Sequence, residues 1–224
     1  MNAVQFSVSR LTAWVSDDGE PRLDQMAPML RRHAGRLGRM ACDVAYRVLD
    51  GARDVPMVFC SRYGEVGRSV DLLSALAEGT PLSPTSFGLS VHNAVGGLFS
   101  IARHDTANCI ALAGGDESAE YGIVESCGLL AEGATNVLLV VADCPLPAVY
   151  DRYADVMRAT YAWGCLIQPA RGDAYSLRWT AARASEDRGL RMPAALSTLR
   201  FMLGGLREYR NDARDLQWDW SRNA

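Results

Sequence analysis

"NCIALAGGDESAEYGIVESCGLLAEGATNVLLVVAD", residues 108–143, is the stretch on which the fold turns. A short apolar run reaches two glycines and an acidic pair. A segment with apolar residues at Ala119, Ile123, Cys127 and Leu130 follows, and a second, fully apolar run closes the unit. Period 3.6 in the middle and unbroken apolar character on both sides predict strand, helix, strand, with both strands buried on two faces. The glycine pair at the junction provides a tight turn, and the helix N-terminus behind it is where an enzyme presents a nucleophile. Asp116 stands at the tip, followed by Glu117. A carboxylate there is predicted to act as an N-cap, accepting helix amides at the favourable end of the dipole.

Working outward, the same alternation repeats. "FSVSRLTAWV" (6–15) alternates like a strand, and "LGRMACDVAYRVLD" (37–50) has helical spacing through Leu37, Met40, Val44 and Val48. "VPMVFCS" (55–61) is a short strand, and "VGRSVDLLSALAEG" (66–79) a helix along Val66, Val70, Leu73 and Leu76 with a glycine stop. The prolines of "TPLSPTSFG" (80–88) break it. "LSVHNAVGGLFSIARH" (89–104) reads as a helix buried along Val91, Val95 and Leu98. Beyond "CPLPAVYDRY", the alternating "YAWGCLIQ" (161–168) and "YSLRWTA" (175–181) predict an antiparallel pair around "PARGDA". A last helix is predicted through Leu196, Leu199, Leu203 and Leu206, before the aromatic tail "LQWDWSR". Strands alternating with helices give an α/β class, a mixed sheet covered by helices.

Composition narrows the function classes. A chain of 224 residues with 49% apolar content supports one domain over 1–224, with a core over 5–150 and a divergent extension over 151–224. A net charge of -3 and a pI near 5.6 give no basic excess for nucleic acid. No apolar run approaches the roughly 20 residues of a spanning helix, so membrane insertion is not expected. The start "MNAVQFSVSR" has neither a basic head nor an apolar signal core, which predicts a cytoplasmic protein. The six cysteines are scattered without CxxC or Cys/His spacing, so no metal is expected and the thiols read as reduced core residues. No GxSxG, GxGxxG, phosphate-binding loop or HExxH is present, and no cofactor is implied. His33, His92 and His104 lack a carboxylate or cysteine companion at useful spacing. "RRHAGRLGR" (31–39), with four arginines and a histidine, reads as a solvated helix entry or, in a minority reading, a docking patch for an acidic partner.

The order "SRYGE", "LSPTSFGLSVHNAVGGLFSI", then strand, turn and helix ending in "LLAEGATNVLLVVAD" resembles the N-terminal half of the β-ketoacyl synthases of the thiolase fold. Ser83, Pro84, Asn93, Gly97 and Gly133 match that family's pattern. Counting back from Gly133 and forward from Asn93 both put its active-site cysteine at position 116. "VFCSRYGE", "PLSPTSFGLSVHNA" and "CPLP" look like signatures of a short subfamily, the chain length factors of aryl polyene pathways.

The resemblance implies a non-catalytic subunit that pairs with a complete β-ketoacyl synthase in polyene or fatty-acid-like chain assembly. It would meet acyl carrier protein only indirectly. Asp116 has no thiol to accept an acyl group, and the family's histidine pair, expected from a C-terminal half, has no counterpart, since no histidine follows His104. The resemblance also implies that "NCIALAGG", with Cys109 and Ala111, is the strand along which two subunits pair, and that Tyr63, Ser86 and Phe87 lie near an acyl tunnel. Tyr63 and Phe87 read equally as loop-anchoring aromatics. Two alternatives stay open: an independent decarboxylase or hydrolase of acyl thioesters using Asp116 or Glu117, and a homodimeric scaffold. Cys109, Cys127 and Ser118 are the remaining candidate nucleophiles.

Overall fold

A strand that is apolar up to its last residue has no face to offer water, and Val137–Asp143 is buried at every position. It lies near the middle of the molecule, whose computed structural model describes residues 2–15, 19–182, 190–213 and 215–223. In chain order the elements are β1 (Asn2–Val15), α1 (Pro28–His33), α2 (Arg36–Leu49), β2 (Met57–Cys60), α3 (Val66–Ala77), α4 (Pro84–Gly88), α5 (Ala94–Arg103) and β3 (Cys109–Leu112). There follow α6 (Ser118–Ala131), β4 (Val137–Asp143), β5 (Tyr161–Pro169), β6 (Tyr175–Ala181), α7 (Ala194–Leu203), β7 (Glu208–Asp212) and β8 (Leu216–Arg222). Short 3-10 turns occupy Gly115–Glu117 and Ala148–Tyr153.

The eight strands form one mixed sheet in the order β3-β2-β4-β5-β1-β6-β8-β7, the α/β architecture the sequence predicts. β2 runs parallel to β3 and β4, and every other pairing is antiparallel. Period-2 alternation along β4 divides its side chains between two cores. Val137, Leu139 and Val141 pack with Ala119 and Ile123 of α6 and Leu199 of α7, whereas Leu138, Val140 and Ala142 pack with α2 and with Val95 and Phe99 of α5. Gly122 sets the approach of α6, since a Cβ there would meet Cys60 Sγ at 2.4 Å and Leu139 Cδ1 at 2.9 Å.

Three expectations are corrected. The strands at 161–168 and 175–181 do not pair with each other: β1 lies between them, meeting β5 through Phe6–Val15 and β6 through Asn2–Phe6. A long N-terminal strand with apolar residues at both ends can bridge two partners, which local alternation cannot reveal. The helix of 89–104 begins only at Ala94, its buried residues are Val95, Gly96 and Phe99, and Val91 is exposed in the preceding loop. The last helix ends at Leu203, where Gly204 and Gly205 follow. Its buried stripe is Ala194, Ala195, Thr198, Leu199, Phe201 and Met202, and Leu203 and Leu206 face solvent. In addition α3 forms as predicted but buries none of its residues; Leu73 and Leu76 are exposed.

Candidate functional site

The parallel trio β3-β2-β4 ends on one edge of the sheet, and in open α/β sheets the crevice beyond the carboxyl ends of such strands is where chemistry collects. Three chain positions converge there: Ser61 after β2, the glycine turn after β3, and Asp143 at the end of β4.

The turn is built from its glycines. Gly115 has φ +66, a left-handed conformation that a side chain disfavours. The Ser118 hydroxyl accepts from the Gly114 amide (3.0 Å) and donates to the Gly115 carbonyl (2.6 Å), closing the loop on itself. Below it, the Leu112 carbonyl accepts from the Ser61 amide and lies 3.0 Å from His92 Nε2, which therefore carries the proton. His92 is thus a loop anchor for β3.

The N-cap role expected of Asp116 is not observed. The chain enters α6 through the 3-10 turn, so Asp116 sits too early to reach the α6 amides, and Glu117, at the N-cap position, makes no side-chain cap. Asp116 serves another helix instead. Its Oδ1 accepts from the Ala194 amide (3.1 Å), the first residue of α7, and its Oδ2 lies 2.8 Å from Arg191 Nη2. Arg62 Nη1 stands 3.8 Å from Oδ1, and the Asp116 side chain is only 10% exposed. Both cations have further anchors: Arg62 donates to Asp155 (2.7 Å) and lies over the Tyr63 ring, and Arg191 donates to the Asp212 carbonyl (3.0 Å).

Beside this cluster lies a second, which the sequence reading does not include. Asp143 Oδ1 accepts from Ser61 Oγ (2.8 Å) and from the amides of Arg62 (2.8 Å) and Tyr63 (3.3 Å), while Oδ2 accepts from the Tyr161 hydroxyl (3.1 Å). Burial pushes the Asp143 carboxyl up to about 6 against these donors, which hold it down; burial and the facing carboxylate push Tyr161 well above its usual range. The visible signal was an apolar strand ending in Asp and another ending in Ser, placed side by side by parallel pairing.

Together the clusters floor a cleft of about 530 Å³, open mouth included, walled by Pro145, Leu146, Val156 and Met157. Tyr63 and Asp116 line it; Ser86, Phe87, Cys109, Ala111 and Glu117 do not. Phe87 is exposed on α4, where Ser83 caps the helix by accepting from the Ser86 amide (3.2 Å) and Pro84 is its first residue. Asn93 precedes α5 as its N-cap residue, Gly97 lies in its first turn, and Gly133 (φ +110) follows the end of α6.

Cys109 and Ala111 are both on β3, an edge strand of the sheet. The carbonyls of Asn108 and Leu112 turn toward β2, so by alternation the N–H and C=O of Cys109 and Ala111 turn toward the open edge.

The chemistry available is limited by these contacts. Asp116 is held by the Ala194 amide on Oδ1 and ion-paired with Arg191 through Oδ2, contacts that suit a carboxylate and orient it toward the protein. The thiol of Cys127 is pushed up to about 12 and that of Cys109 upward, both by burial, so neither is a thiolate at neutral pH. Ser118 is spent on its turn. Among the described residues no group of three His, Cys, Asp or Glu side chains could hold a metal ion, and no helix is long and apolar enough to cross a membrane.

Comparison with known proteins identifies the setting. The family model "Beta-ketoacyl synthase, N-terminal domain" matches residues 6–221. Among solved structures, a chain of a ketosynthase (ApeO) in complex with its chain length factor (ApeC) from Xenorhabdus doucetiae superposes with a TM-score of 0.80 at 23% identity, covering 98% of this chain and 100% of that one. The ishigamide ketosynthase/chain length factor gives a TM-score of 0.57 at 16% identity, over 70% of this chain and 52% of the other. A β-ketoacyl synthase from Burkholderia phymatum gives 0.58 at 13% identity, over 75% and 52%. The chain thus spans about half the length of these two, and no curated protein matches it.

Proposed function

The chain belongs to the β-ketoacyl synthase N-terminal domain family, and from that premise we propose that it works as a non-catalytic chain length factor, paired with a complete β-ketoacyl synthase. The observation that carries this reading is the state of Asp116. A condensing enzyme needs a thiolate at this turn, stabilised by helix amides and ready to attack a thioester. Here the position counted from Asn93 and Gly133 holds a carboxylate, and its oxygens are committed to Arg191 and the α7 amide. A carboxylate has no thiol to take up an acyl chain, and taking up a proton would forfeit its ion pair with Arg191, which argues against Asp116 as the base of a separate decarboxylase or hydrolase.

The equal length of the chain matched in the ApeO/ApeC complex supports a short chain length factor. The product class, polyene or fatty-acid-like and specifically aryl polyene, rests on "VFCSRYGE", "PLSPTSFGLSVHNA" and "CPLP". Pairing would use the open edge of β3 together with the exposed apolar side chains of the α3–α4 segment, Leu73, Leu76, Leu82 and Phe87. Acyl carrier protein would then deliver its chain to the partner's thiol, not to this subunit.

Incubation of the purified chain with acyl-loaded carrier protein, followed by intact mass, tests the proposal. An unchanged mass is expected; a covalent acyl adduct would reject the non-catalytic reading.

A further inference from the structure

We propose that Glu120 is a proton-dependent latch: in its neutral form it fastens the C-terminal segment of α7 and β7 onto the helix behind the Asp116 turn, and its ionisation loosens that segment. The inference rests on how α7 and β7 pack and is independent of the partner-subunit reading.

Glu120 lies one turn into α6 and is completely buried. Its Oε1 accepts from Asn211 Nδ2 on β7 (2.9 Å) and lies 3.4 Å from Thr198 Oγ1 on α7, so both of its side-chain partners belong to the C-terminal segment. Oε2 is buried with no hydrogen-bond partner. A carboxylate in that position would be a desolvated charge held by neutral donors alone, the arrangement a protein interior tolerates least.

The surrounding charges make it worse. Asp116 and Glu117 approach from the 3-10 turn and both raise the cost of ionising Glu120. The other titratable groups coupled to it are neutral near pH 7: Tyr209 of β7 is pushed up to about 12 by burial, and burial likewise raises Cys60 of β2 and Tyr121 of α6 itself. β4 and β5 add Asp143, Tyr161 and Cys165, the first two bonded to each other and the thiol raised to about 12. The arginines of the packed elements are turned elsewhere. Arg62 and Arg191 hold Asp116, Arg10 of β1 reaches Asp50, and Arg200 of α7 is exposed. Burial, with the two carboxylates and against Asn211 and the residue's own amide, brings Glu120 up to about 7 from an ordinary 4.5.

The sign follows from that direction. The closed segment binds a proton that the open segment releases, so closure is fully favoured below about pH 4.5 and weakens progressively until about pH 7, where the loss levels off. Opening would also carry away Pro193 and Ala195, which line the Asp116 cleft.

Hydrogen exchange on the intact chain, corrected for intrinsic rates, reads the latch directly. Between about pH 6 and about pH 8 the opening equilibrium of peptides covering 194–213 is expected to rise about tenfold, with β4 and β5 unchanged. Glu120→Gln, which cannot ionise, is expected to abolish the rise. Carbon-13 carboxyl NMR of the unsubstituted chain, labelled on glutamate, is expected to show one resonance titrating near neutrality. Equal protection at both pH values, a rise that persists in Glu120→Gln, or glutamates that all titrate in their ordinary range would each overturn the proposal.

Discussion

A carboxylate where a nucleophile would stand is not idle in this molecule. Asp116 joins three parts of the chain: the turn after β3, the arginine after β2, and the start of α7. Asp116→Ala leaves Arg191 and Arg62 facing each other without their anion. With Arg191 about a third exposed, solvent screens part of the effect, and a loss of about 2 kcal/mol is expected in urea unfolding. Formate or acetate added to that variant is expected to recover part of the loss, because the vacated site retains two guanidinium groups and an amide; equal concentrations of chloride are not. Asp116→Asn keeps one acceptor for the Ala194 amide and should lose less. A variant with unaltered stability would show that the ion pairs contribute nothing. The sequence indicates the residue and its position but not these partners, because Arg191 is 75 positions away and nothing local aims it at Asp116.

At the level of elements, the order and bounds of the strand–turn–helix–strand unit were legible: β3, α6 and β4 lie where the apolar pattern puts them, but β3 is a half-buried edge strand, not one buried on two faces. Elements fixed by distant neighbours were not. The 161–168 and 175–181 strands read as a hairpin because alternation reports that a strand has two faces, not which strand lies beside it. α3 reads as a helix from the spacing of its apolar residues and is one, but spacing does not tell that Leu73 and Leu76 are exposed. Two substitutions test this level. Ala111→Pro removes an N–H directed at the open edge while sparing the ladder to β2, so the isolated chain should keep its circular dichroism and lose its capacity to pair. Gly122→Ala forces a methyl against Cys60 and Leu139 and should cost about 1–3 kcal/mol in thermal or urea unfolding, whereas Gly128→Ala, which meets nothing on the same helix, should stabilise by about 0.5–1 kcal/mol.

Across the whole molecule, the sheet runs on past β1. β6, β8 and β7 continue it beyond β1, and Trp218 and Trp220 are buried on the α6–α7 side with Phe6, Leu177 and Phe201. The aromatic tail was visible in the sequence, but its place in the same sheet was not, since it depends on β1 being long enough to hold β5 with one end and β6 with the other. The result is a sheet with two unlike edges. β7 is short and charged, "EYRND", which suits a solvent-facing end, whereas β3 is "CIAL", four apolar residues with an unpaired side. The account therefore directs association to the β3 edge. Co-expression with a complete β-ketoacyl synthase from the same organism, followed by size-exclusion chromatography with mass detection, tests this most directly. A one-to-one complex that Ala111→Pro separates into folded components is the predicted result; a chain that elutes apart from the ketosynthase, or only as a complex with itself, would contradict the account.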